Sequence, residues 1–212
     1  MSLLIAAKGF TLGLSMIMPI GAQNAMILNQ GVQRHHHLTV AGLCAFYDII
    51  LIAIGVLGGG LLLNSSDLFF SILTWGGIVF LMSYGALALK AAVEADTNTS
   101  TTTVTKKSFK VIIVSSLIVT FLNPHAYVDT VMILGSVGGQ YQGNDKMLFM
   151  FGAMLASIVW FFTLASGAAK LSVTLSKPKV RRIIDFLIAF IMWLIAASLF
   201  NAWVNRIILT VN

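Results

Sequence analysis

Six apolar stretches, at about 4–28, 38–63, 68–89, 111–134, 147–171 and 183–204 of the 212 residues, are each long enough to cross about 30 Å of hydrocarbon at ~1.5 Å per residue. No other feature restricts the fold as much. Lipid offers no partner to a bare backbone N–H or C=O, so a crossing segment must satisfy its own polar groups, as a helix does. Charged residues make up 9% of the chain, against roughly 25% in soluble domains. That shortage means lipid, rather than a larger core, surrounds most side chains. The expectation is an all-α integral membrane protein of six transmembrane helices.

The linkers divide these spans into two sets of three. The longest, residues 93–109, contains the run Thr97-Asn98-Thr99-Ser100-Thr101-Thr102-Thr103, which has nothing to bury and should be flexible. The expected units are therefore residues 1–92, the polar linker 93–109, and residues 110–212. Three spans per half send the second half into the membrane from the opposite side, which makes a 3+3 inverted repeat. Met26-Ile27-Leu28 returning as Met132-Ile133-Leu134 supports a duplication. So does Phe80-Leu81-Met82 returning as Phe190-Ile191-Met192.

Ten of the thirteen Lys and Arg residues lie in the first, third and fifth linkers, leaving Lys8, Lys146 and Arg206 on the other side. The positive-inside rule then places the odd linkers in the cytoplasm and both termini outside. The net charge of +6 is thus a topology signal, with no nucleic-acid partner implied. The first stretch lacks a basic lead and carries a proline motif inside it, so it reads as a retained span rather than a signal peptide.

Two spans are interrupted in the same way, 105 residues apart. Pro19 precedes Asn24 by five positions, and Pro124 precedes Asp129 by five. The expectation is that helices 1 and 4 are broken at Pro19 and Pro124, freeing backbone carbonyls within the membrane. Paired breaks in two halves are the best sequence pointer to a transporter's substrate site. At the first break Gly21 permits close approach to the backbone. Gln23 and Asn24 there carry donors and acceptors suited to a zwitterionic head group, or else to interhelical bonding.

Asp48 lies ten residues into the second span, where an ionised carboxylate costs on the order of 3 kcal/mol. It either joins helices through hydrogen bonds or forms a cation or proton site. Asn123 and Pro124 loosen the fourth span. His125 stands four residues before Asp129, so a continuing helix would put both on one face, able to pass a proton near neutral pH. The alternative for His125 is a bond to a freed carbonyl. His35-His36-His37 lacks the further ligands of a metal site, and Cys44 alone makes no disulfide. Neither a hydrolytic elbow nor a phosphate loop is present, so no enzyme activity and no cofactor is expected.

Pro19-Ile20-Gly21-Ala22-Gln23-Asn24-Ala25, Asn29-Gln30-Gly31, Asp48, Thr74-Trp75-Gly76-Gly77, Asn123-Pro124-His125-Ala126-Tyr127-Val128-Asp129 and Leu134 to Gly139 together resemble the LysE/ArgO family of basic amino-acid exporters. The likeness covers essentially the whole chain. It implies export of L-arginine and/or L-lysine across a bacterial inner membrane, with the amino acid and protons as partners in the bilayer. On this reading Gln23, Asn24, Asp48, Asn123 and Asp129 bind substrate, while Asp48, His125 and Asp129 couple protons. Rival readings are export of neutral amino acids or of divalent metal ions. The sequence leaves monomer and homodimer open.

Overall fold

The structure, a computed structural model, describes residues 2–19, 21–59, 67–94, 109–121, 126–175 and 177–211. All the regular structure among them is helical. Helices α1 (Ser2–Ile17) and α2 (Ala22–Val32) meet at an angle of 78°. Helix α3 (His37–Ile54) runs on into a π-helical turn at Gly55–Gly59, in which Gly58 adopts φ +116°, a left-handed value that favours glycine. Helices α4 (Asp67–Glu94) and α5 (Phe109–Phe121) follow, then a π-helical segment at Tyr127–Leu134. The chain closes with α6 (Gly135–Gly139), α7 (Gly143–Lys170), α8 (Ser172–Leu175) and α9 (Pro178–Val211).

Four helices among the described residues are long and apolar enough to cross a membrane: α3 with its turn, α4, α7 and α9. The bent pair α1–α2 counts as a fifth when its two arms are taken as one broken span. Helix α5 has 13 residues, too few to cross alone. The expected break at Pro124, together with Asn123 and His125, falls outside the described residues. So do the turn before Asp67 and most of the 93–109 linker.

The elbow between α1 and α2 follows from covalent chemistry. Pro19 has no N–H to donate, and its ring clashes with the carbonyl four residues back. Met18 still donates to the Leu14 carbonyl at 2.9 Å, and the helix goes no further. The chain restarts from an extended Gly21.

Small residues set the packing. Helix α1 lies along α7 so closely that a Cβ on Gly9 would collide with the Phe149 carbonyl, and one on Gly152 with that of Ala6. Gly13 faces Ala153 in the same seam. In lipid such close approach is a main source of helix association. Helix α4 pairs with α9, where Gly85 seats the Trp193 ring. Helix α3 is central: 56% of its most apolar window is buried, against 22% for α4 and 28% for α9. Leu87, Val79, Phe190 and Phe151 point outward, as side chains facing lipid do. Cys44 is wholly buried in the core beside Ile27, Val40 and Phe161.

Candidate functional site

The elbow opens a cavity of about 500 Å³, within the range of small-ligand sites. Its polar wall is built from Gln23 and Asn24 of α2, Asp48 of α3, and Asp129 and Thr130 of the π-helical segment. Pro19 and Gly21 line the elbow itself, while Ile191, Leu194 and Ile195 of α9 supply an apolar side.

Asp48 is 2% exposed. Its Oδ1 accepts a hydrogen bond from Gln23 Nε2 at 3.0 Å, and its Oδ2 accepts one from Ser157 Oγ at 3.2 Å. Gln23 Nε2 also donates to Thr120 Oγ1 at 3.0 Å. One amide thereby ties α2 to both α3 and α5, and the serine adds α7. These donors are neutral, so they orient the carboxylate without cancelling its charge. The arrangement suits a cation brought in from outside.

Asn24 answers the damage done by Pro19. Its Nδ2 donates to the carbonyls of Ile17 at 2.9 Å and Pro19 at 2.7 Å, and its Oδ1 accepts from Trp160 Nε1 at 3.1 Å. Carbonyls left without helical partners within a membrane-spanning segment would be costly, and this amide satisfies two of them. Asn24→Asp would set a carboxylate against both carbonyls and is expected to lower stability by about 2–4 kcal/mol. Trp160→Phe, losing one neutral donor, should cost about 1 kcal/mol. Thermal melts of the purified proteins in detergent check both, and equal losses would contradict this assignment.

Helix α2 begins at Ala22 inside the cavity wall, and no side chain caps it. Its first N–H groups carry the positive end of a helix dipole, a receptor for a carboxylate. On the other side Asp129 sits within a π-helical turn, a distortion common at functional sites. The Thr130 hydroxyl bonds back to the Ala126 carbonyl, keeping that turn internally satisfied.

Of the residues singled out from sequence, Pro19, Gly21, Gln23, Asn24, Asp48 and Asp129 therefore surround one cavity. Thr120, Ser157 and Trp160 escaped that reading. Ser157 had a detectable signal: it lies 109 residues after Asp48, the same offset that separates the expected starts of the second and fifth spans. Among the described residues no three His, Cys, Asp or Glu side chains converge as a metal site would require. His35 instead packs against His36, and His36 against Phe109, at centroid distances of 4.2 and 5.8 Å.

Residues 14–202 match the family model described as "LysE type translocator". The arginine exporter protein ArgO of Yersinia enterocolitica is 46% identical over 203 residues, covering 96% of this chain and 99% of that protein. The protein of the same name from Salmonella typhimurium is 45% identical over 192 residues, 91% of each chain. No solved structure matches.

Proposed function

The chain belongs to the LysE type translocator family, and on that premise we propose that it exports L-arginine and/or L-lysine from the cytoplasm across a bacterial inner membrane in exchange for protons. The observation that carries the reading is the meeting of two carboxylates, Asp48 and Asp129, with the uncapped start of α2 around one cavity. The carboxylates receive the cationic side chain. The N–H groups of α2 receive the α-carboxylate, Gln23 Oε1 accepts from the α-ammonium, and Asn24 holds the elbow in shape. Asn123 completes the head-group site, and His125 hands the proton to and from Asp129.

Moving a cation outward against a negative-inside potential costs ~2.3 kcal/mol per 100 mV. An inward proton cancels that electrical cost, and a carboxylate that holds either a proton or the substrate enforces the exchange. The odd linkers face the cytoplasm and the termini face outward in this scheme.

Six spans arranged as a 3+3 inverted repeat, with a second break at Pro124, complete the architecture. A pair of contacts supports it. The end of α2 meets the end of α7 where Gly31 presses on Ala165 and Ala168, and the start of α6 meets the end of α3 where Gly135 presses on Gly55. A two-fold exchange of the halves would carry one contact onto the other. Asp48 and Ser157 would stand at corresponding depths and meet at the axis.

Efflux from proteoliposomes loaded with arginine, lysine or threonine, with and without an inward proton gradient, tests the reading. Arginine should leave fastest and respond to the gradient. Threonine efflux without arginine efflux would move the protein to neutral amino acids.

A further inference from the structure

A third carboxylate sits in an apolar helix and takes no part in the cavity. Asp185 is the eighth residue of α9. Its side chain is 14% exposed, and its Oδ2 is buried and accepts no hydrogen bond among the described residues. Nε of Arg181, one turn earlier on the same helix and 46% exposed, stands 3.9 Å away. That separation is an ion pair but exceeds hydrogen-bonding distance. A carboxylate oxygen taken from water and left without a donor is costly, so its placement calls for an explanation.

A ligand rich in donors would supply what this oxygen lacks. Arg34 Nε bonds the Ala169 carbonyl at 3.0 Å and Ser172 Oγ at 2.7 Å, which fixes the end of α2 beside the turn that leads into α9. Gln30, at that end of α2, also has a buried acceptor, Oε1, with no donor among the described residues, and α2 packs on α9. Tyr84 of α4 lies close enough for the Asp185 charge to act on its hydroxyl. Above Asp185, Ile184, Ile188, Ile191 and Ile195 recur at helical spacing, and the last two join the apolar side of the cavity. Asp185 is thus about 9 Å along the helix axis from Ile191, at ~1.5 Å per residue. A guanidinium offers five N–H donors and no acceptor, the complement of a carboxylate oxygen that lacks a donor.

We propose that Asp185 is an entry subsite for the guanidinium of the substrate, and that Arg181 is a tethered competitor which free arginine displaces on its way to the cavity. The inference rests on the arginine-export reading. An ordinary structural ion pair between neighbouring turns would behave differently: removing either partner would have the same small effect.

The test is the KM for labelled arginine, measured from each face in proteoliposomes of known orientation. Asp185→Asn should raise KM about fivefold from the face bearing Arg34 and the start of α9, the size expected of a charge contact with a partly exposed partner. The opposite face should be unchanged. Arg181→Ala should lower KM from the same face. Unchanged KM values, or two variants that shift in the same direction, would overturn the subsite while leaving arginine export standing. A wild-type protein that moves no arginine would bring down both.

Discussion

Asp48→Asn should reduce gradient-driven arginine efflux by about thirtyfold or more while the protein still folds and inserts. The substitution keeps the shape of the side chain and a carbonyl oxygen that can accept from Gln23 or Ser157, so the junction of α2, α3, α5 and α7 remains. What it removes is the charge. Deleting one partner of a buried charge pair costs ~2–5 kcal/mol, which at ~1.4 kcal/mol per decade is a factor of about 30 or more. Asp129→Asn acts on the same cavity and should lower efflux as well. Initial rates in proteoliposomes, beside a gel-filtration profile that confirms folding, measure both. If both variants kept wild-type rates, the assignment of the cavity would fall.

The second large effect concerns assembly. Gly152→Ala should destabilise the protein by about 3 kcal/mol, at the upper end of the cost of overpacking. The added methyl would meet the Ala6 carbonyl and the Phe10 nitrogen, both of them backbone atoms that no rotamer change can move aside. Gly167→Ala, in the same helix α7 but with nothing within 4 Å of the new Cβ, is the matched control and should be neutral or slightly stabilising. Midpoints of thermal aggregation in detergent compare the two. Equal midpoints would mean that the α1–α7 seam does not bear on stability.

The sequence revealed most where lipid imposes the strictest conditions. Long apolar stretches must be helices, and Pro19 must interrupt one, because neither outcome depends on a neighbour. The ends of the helices were less legible: α7 starts at Gly143 and α9 at Pro178, several residues before the apolar windows begin. Polar residues at the membrane surface continue a helix that hydropathy has stopped registering, and Pro178 suits a first helical position. Asn24 looked like a ligand group because its chemistry fits one, yet both amide hydrogens serve carbonyls that the break itself released. Thr120 was hidden for a different reason. A single hydroxyl in an apolar helix can bond its own preceding turn, as Ser83 does with Val79. Only the fold shows which ones turn outward to a partner. A glycine in an apolar stretch does not say what approaches it, so the seam that Gly9, Gly13 and Gly152 make between α1 and α7 lay beyond reach.

That seam has a consequence for how the protein is made. Helix α1 finds its match in α7, and α4 finds its match in α9, so each early helix waits for a late one. While a ribosome is delivering the first three spans, the glycine face of α1 and the Gly85 notch of α4 have only lipid or the insertion machinery against them. Neither half can finish its own packing, and the chain closes when α9 arrives to seat Trp193. Expressed separately, the two halves should each be degraded. Expressed together, they carry every surface needed to find one another in the bilayer.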